Sequence, residues 1–169
     1  MWNNIRYSIP LHLLLRLTNW FPDNLCFIRL RGWLAHFFFN SCGKNFRIGR
    51  NVTFYNPSEI SFGNNVYVAY GCWFSAGSEI VVDDEVVVGP YNVFASSNHT
   101  KVNGSFRYGP PKKASIYIGP GSWIGAHCTI TAGTNIGAGA CIGANSVVVS
   151  SVKSDSLYAG SPAKYIKEV

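Results

Sequence analysis

The chain is short of charge. Asp, Glu, Lys and Arg together make up 13% of its 169 residues, and only eight of them are acidic. A disordered region combines low hydrophobicity with high net charge, and a composition that is 47% apolar excludes that class. Zinc-ligand spacing is missing too: there is no C-x-x-C, and no Cys/His pair stands at finger spacing. The five cysteines (Cys26, Cys42, Cys72, Cys128, Cys141) are odd in number and scattered. They read as buried free thiols in a reducing compartment, not as a disulfide framework. Cys128 follows His127, but neighbours on an extended chain point to opposite faces, which argues against a cysteine nucleophile. Long apolar runs are also missing. The start, MWNNIRYSIPLHLLLRLTNWF, is broken by His12 and Arg16 and has no small-residue cleavage site. The next stretch, LCFIRLRGWLAHFFF, carries Arg29, Arg31 and His36 and falls short of a membrane span. These absences predict a cytoplasmic chain.

What charge there is leans one way. Fourteen Lys and Arg against eight acids give +6 at pH 7. Such a surplus serves either solubility or an anionic partner: a phosphate-bearing cofactor, a nucleotide sugar, a lipid headgroup or nucleic acid. The first 42 residues have helical character, with Pro10 suited to a first turn and FPDN at 21–24 reading as a stop followed by a new cap. Their apolar surface would pack on the rest of the domain or on a neighbouring subunit. Alternatively it forms a basic amphipathic hairpin on a membrane surface, with Arg6, Arg16, Arg29 and Arg31 towards headgroups.

From Ile48 the pattern changes. Apolar residues fall six apart at Ile48 and Phe54, at Phe62, Val68 and Phe74, and at Val82, Val88 and Phe94. After an interruption they return at Ile118, Ile124, Ile130, Ile136, Ile142 and Val148. Gly follows at 49, 63, 89, 119, 125, 137 and 143, where the corner backbone is expected to need a small residue. A period of six is neither helical nor that of a hairpin meander. Three such steps make one turn of a triangular solenoid, in which stacked coils pair as parallel strands around a column of Ile and Val. The expected fold is therefore an all-β solenoid, a parallel β-helix over 43–153, with a short helical segment at 1–42 and a tail at 154–169. An extended loop occupies 99–117.

The segment IYIGPGSWIGAHCTITAGTNIGAGACIGANSVVVSSV, followed by AGSPAKYIKEV, resembles the hexapeptide-repeat acetyltransferases. The similarity is to the maltose and galactoside O-acetyltransferases and to the polysaccharide-biosynthesis (colanic-acid-type) enzymes. The resemblance implies a left-handed β-helix, a handedness that periodicity alone does not supply. It also implies a homotrimer with acetyl-CoA lying between subunits, and neither a metal nor a nucleic-acid partner is expected.

In this family a loop leaves the solenoid at a histidine. FASSNHT matches that position and makes His99 the expected general base for direct acetyl transfer to a sugar hydroxyl. The resemblance places Trp123, Gly125, Ala126 and Ala144 along the pantetheine arm. It puts Val149 and Ser150 at the family's Thr-Lys pair, and Lys164 and Lys167 where arginines usually meet the CoA phosphates. Lysine keeps the charge but loses the bidentate fork. The positions of the family's sugar-contacting Asn and Asp hold Ala69 and Gly77, so the acceptor must be held differently. Tyr70, Asn92, Lys101 and Arg107 are the candidates for that contact. The expected acceptor is a sugar, a nucleotide sugar or a lipid-linked glycan in surface-polysaccharide biosynthesis. An N-acetyltransferase of a nucleotide-linked amino sugar, a streptogramin-type acetyltransferase and a non-enzymatic assembly module are the alternatives. Peripheral contact with the inner membrane face would follow from the N-terminal segment.

Overall fold

The structure, a computed structural model, describes residues 3–169. A π-helical turn at Asn4–Ser8 leads into helix α1 (Ile9–Thr18), whose first turn holds Pro10, where no backbone N–H is required. Helix α2 (Leu25–Ala35) is capped by Asn24, whose side-chain oxygen accepts the Phe27 N–H at 3.0 Å. The FPDN reading of a stop and a new cap therefore holds. A 3₁₀ turn at His36–Phe38 ends the helical part, and the first solenoid strand begins at Ser41, so the helical segment is slightly shorter than expected.

Strands of two or three residues then stack into the three faces of a prism, a left-handed parallel β-helix. The first face runs through Ser41–Cys42, Ile60–Phe62, Ile80–Val82, Ile116–Ile118 and Asn135–Ile136. The second runs through Arg47–Ile48, Tyr67–Val68, Val87–Val88, Trp123–Ile124 and Cys141–Ile142. The third runs through Thr53–Tyr55, Trp73–Ser75, Val93–Ala95, Thr129–Thr131 and Val147–Val148. Every residue of the six-step apolar series is buried. Full burial of each such aliphatic side chain contributes about 1.5–3 kcal/mol, which is what holds strands this short in register. The core changes along the axis. The early coils hold Phe39, Phe46, Phe54, Phe62, Phe74 and Phe94, with Phe74 stacked on Phe94 at 4.4 Å, whereas the later coils hold Ile and Val.

The recurrent glycines are kept for a reason other than the one expected. The left-handed corner positions belong mainly to other residues, among them Asn51, Tyr91, His127 and Asn145. In most coils the residue two places earlier is a glycine, Gly49, Gly89 and Gly125 among them, that lies under the backbone of the next coil; the second coil has Ala69 there. A Cβ on Gly125 would sit 2.7 Å from the Ala144 nitrogen, and one on Gly49 2.7 Å from the Tyr70 nitrogen. Coil-to-coil spacing, not φ, fixes these residues.

The first coil supplies the terminal strand of all three sheets. Open edges of this kind template aggregation unless they are covered, and the helical segment covers the second-face edge and the corner that follows it with specific bonds. Arg31, fully buried on α2, donates to the Ile48 carbonyl at 3.0 Å, to the Phe21 carbonyl at 2.7 Å and to Asp23 Oδ1 at 2.7 Å. Asp23 accepts the Arg50 N–H and Asn19 accepts the Asn51 N–H, each at 3.0 Å. Arg31 is thus a structural clasp, correcting its reading as a headgroup ligand. At the other end the expected tail is a hairpin, Ser156–Gly160 with Ala163–Glu168, that extends the second-face sheet.

Candidate active site

The corner between the third and first faces differs from the other two: in the first two coils the inward residues that flank it stand eight apart, Phe54 to Phe62 and Phe74 to Val82, against six elsewhere. Asn56–Glu59 fill it in the first coil and Ala76–Glu79 in the second; in the third coil it opens into the interruption. Ile80 still pairs with Ile116, so the whole insertion hangs from one corner without disturbing register. It is a β-hairpin, not an irregular loop. Ser97–Asn98 pair antiparallel with Lys112–Lys113, and the tip turns at Asn103 and Gly104, both at positive φ, closed by reciprocal Val102–Ser105 bonds. Residues 116–117, expected in the loop, belong to the solenoid strand. The root is fixed by buried Ser96, whose hydroxyl donates to the Ser78 carbonyl at 2.6 Å and accepts the Ser78 N–H at 2.9 Å. Gly77 lies directly beneath: a Cβ there would be 2.6 Å from the Ser97 Cβ. Thr100 Oγ1 donates to the Pro110 carbonyl at 2.5 Å and draws the two arms together just beyond His99.

His99 stands exposed on the first arm of this hairpin. A cavity of about 380 Å³ lies at the same corner, lined by Asn56, Ser58, Glu59, Gly77, Ser78 and Lys113 among others. Lys101 and Arg107 are exposed near the tip, each 5.8–5.9 Å from an aromatic ring centroid, Phe106 and Tyr108 respectively. The acids nearest His99 in sequence stand at a different corner. There Asp83 accepts the Tyr117 hydroxyl at 2.8 Å, which raises the tyrosine pKa, and Asp84 accepts the Asn64 N–H.

The residues expected at the cofactor fall into three groups. On the second face the outward row runs in register from Trp123 to Cys141, Leu157 and Lys167. Three strand spacings of about 4.8 Å separate its ends, roughly 14 Å in all. The irregularity beside Leu157 and Tyr158 lets Lys164, opposite Ala159, share the side of the sheet that Lys167 occupies. Beside this row, at the corner of the second and third faces, Ala126 and Ala144 lie one above the other, linked by the Asn145 N–H on the Ala126 carbonyl at 2.9 Å. Gly125 is buried behind them and serves coil stacking. Val149 and Ser150 are exposed at the third-to-first corner, the corner of His99. A single chain therefore keeps His99, Val149 and Ser150 a full prism face away from Ala126 and Ala144.

Two acceptor candidates stand away from the His99 corner. Tyr70 belongs to the second-to-third corner, where its hydroxyl accepts from Asn51 Nδ2 and its ring meets Tyr91 edge-on at 5.3 Å. His127 continues that stack on Tyr91 at 4.9 Å. Asn92 is corrected outright. It is fully buried, its amide donates to the Gly89 carbonyl at 2.8 Å, and its oxygen accepts the Cys128 N–H at 2.5 Å, so nothing is left for an acceptor. Glu59, Ser78 and Lys113 at the His99 corner were missed, although SEI recurs at 58–60 and 78–80 on the corner that the loop replaces one coil later. Of the thiols, burial pushes Cys42 up to about 12 and Cys72 up to about 11, while Cys26 is exposed, contrary to expectation.

Residues 115–150 match the family described as bacterial transferase hexapeptide (six repeats). The chain is 34% identical over 110 residues to a candidate acetyltransferase of Staphylococcus aureus (strain COL), covering 65% of this chain and 55% of that protein. It thus spans just over half the length of that curated relative. Among solved structures it superposes on a maltose O-acetyltransferase from Clostridium difficile 630 with a TM-score of 0.85 at 25% identity, covering 98% of this chain and 87% of that one. A galactoside acetyltransferase in complex with coenzyme A gives a TM-score of 0.84 at 25% identity, covering 95% and 80%. By its repeat and its solenoid, this chain is a hexapeptide-repeat left-handed β-helix protein, similar to the maltose and galactoside O-acetyltransferases.

Proposed function

We propose that the chain is an acetyl-CoA-dependent O-acetyltransferase acting on a sugar hydroxyl, with His99 as general base. The observation that carries the reading is that Trp123, Ala126, Ala144, Lys164 and Lys167 gather on the second face and its corner with the third, while His99 stands at the third-to-first corner beside Val149 and Ser150. Trp123, the small Ala126 and Ala144, and the lysines of the terminal hairpin fit a donor with an apolar arm and an anionic end. His99 and its hairpin fit an acceptor site. The two halves meet only where the third-to-first corner of one copy abuts the second face of another, which supports a homotrimer with acetyl-CoA between subunits.

In that arrangement the His99 imidazole takes the proton of the acceptor hydroxyl as its oxygen attacks the thioester carbonyl. Backbone N–H groups hold the resulting oxyanion. Collapse breaks the carbon–sulfur bond, the proton passes from imidazolium to the departing sulfur, and an acetyl ester and free CoA result. No acyl-enzyme forms. The cavity under the hairpin, with Glu59, Ser78 and Lys113, is the proposed seat of the acceptor in place of the family's Asn and Asp. Surface-polysaccharide biosynthesis is the setting that suits such an acceptor.

The test is release of free CoA from acetyl-CoA over a panel of sugar and nucleotide-sugar acceptors, with products identified by mass spectrometry. Loss of a general base lowers kcat by about 10²–10⁴-fold, so His99→Ala should fall in that range with acetyl-CoA binding retained. An undiminished rate in His99→Ala would refute the role of His99. No acetyl transfer to any acceptor, together with no acetyl-CoA binding by calorimetry, would refute the activity itself.

A further inference from the structure

Helix α1 is apolar on two sides. Leu11 and Leu15 face the solenoid, whereas Leu13 and Leu17, four residues apart, face outward in line with Trp20. Helix α2 and the 3₁₀ turn after it repeat the design: Ile28, Gly32 and Ala35 are buried, while Leu30, Trp33 and Phe37 are not. The exposures are large: Leu17 71%, Trp20 88%, Trp33 63% and Phe37 68%. Isolated exposed apolar residues need no explanation, but a concentration on one helical pair marks a contact surface.

Its charge says what the surface contacts. Arg6, Arg16 and Arg29 are exposed among these residues. The one acid between residues 3 and 38 is Asp23, already engaged by Arg31 and the Arg50 backbone. A second copy meeting this face about a two-fold axis would set arginine against arginine with no carboxylate to answer. An anionic headgroup layer supplies the missing charge, and aromatic and aliphatic side chains bounded by arginine are what an interfacial helix presents to lipid. A cavity of about 670 Å³ opens beside α2, lined by Arg29, Trp33, His36 and Lys44 over Gly32 and Phe46. It places two cations at the border of the apolar surface. Among the described residues no helix is long and apolar enough to cross a membrane, so the contact is one of lying on the surface.

We infer that the outward face of the α1–α2 cap is an interfacial anchor that seats the chain on an anionic bilayer. The inference is independent of the acetyl-transfer reading and would bring lipid-linked acceptors to the His99 corner if that reading holds. The test is co-sedimentation of the full chain with vesicles of phosphatidylcholine alone and of an equal mixture with phosphatidylglycerol, together with the tryptophan emission maximum. The expected result is binding to the mixed vesicles only, with a blue shift, reversed by added salt. Arg16→Gln and Arg29→Gln should each weaken partitioning by about fivefold. Trp20→Ser combined with Trp33→Ser should abolish both sedimentation and shift while leaving the circular dichroism unchanged. Should that double variant fold poorly, the two arginine variants decide the matter. Equal binding to neutral and anionic vesicles, or none to either, overturns the inference. So does a change of oligomeric state in the double variant without vesicle binding by the wild type, which would assign the face to a subunit contact.

Discussion

Replacing Arg31 with methionine tests how the solenoid's first edge is closed. Methionine keeps most of the aliphatic volume but removes a guanidinium whose side chain is 1% accessible and which holds Asp23, Phe21 O and Ile48 O at 2.7–3.0 Å. Breaking a buried ion pair from one side destabilises by about 3–5 kcal/mol, because the partner stays buried without its counter-charge. Asp23 is 25% accessible and keeps the Arg50 N–H, so the lower end, about 3 kcal/mol, is expected. With a urea m-value of about 1–3 kcal/mol/M, the unfolding midpoint should fall by roughly 1–3 M. Circular dichroism and tryptophan fluorescence should be followed together, since Trp20 and Trp33 report on the cap. Asp23→Asn combined with Arg31→Met should lose less than the sum of the single changes, because the doubly changed cap no longer traps a bare carboxylate. A single-variant loss under about 1 kcal/mol, or strict additivity, would refute the clasp.

Other perturbations reach different parts of the molecule. If the proposed acetyl transfer holds, Gly77→Ala should displace Ser97 and the root of the hairpin and lower its kcat by at least the order of tenfold while the thermal midpoint moves little; a steady-state assay beside a melting curve checks it. Asn92→Ala should cost about 1–3 kcal/mol by stranding the Gly89 carbonyl and the Cys128 N–H, read by chemical denaturation, with no separate effect on KM. Burial raises Cys72 from 9.0 to about 11 and Cys42 to about 12, so the folded chain holds protons that the unfolded chain releases. That contribution is intact below pH 9 and declines as pH climbs towards 11; in a thiol titration at pH 8 the native chain should react first at exposed Cys26.

The six-residue period was enough to place one inward residue on each side of the coils from Ile48 onward, because an inward side chain every third of a turn is a local rule repeated with few exceptions. The second inward set, Ile60, Val66, Ile80, Val86 and Ile116 among it, was not named. What lay outside the pattern was relational. Arg31 looks like any surface cation in a helix until the edge carbonyl of Ile48, seventeen positions away, is folded beside it. Asn92 sits where other coils place Val52, Cys72, Cys128 or Ser146, so the period itself marked it as inward, yet its polarity suggested a ligand contact. The Asn103–Gly104 pair is a strong two-residue hairpin signal that the expectation of an extended loop passed over. The separation of His99 from Ala126 and Ala144 was legible but went unread: His99 follows Phe94, the third inward step of its coil, whereas Ala126 and Ala144 follow Ile124 and Ile142, the second step of theirs.

The hairpin's attachment has a consequence for how such proteins diversify. Because Ile80 and Ile116 pair as though nothing lay between them, the segment behaves as an exchangeable cartridge. Its length and chemistry can drift under selection for new acceptors while the coils that would carry the donor remain unaltered. On the proposed function, acceptor choice and donor recognition would sit on separate evolutionary clocks, and a graft of another chain's hairpin between Ser96 and Ala114 is the natural unit for testing that division.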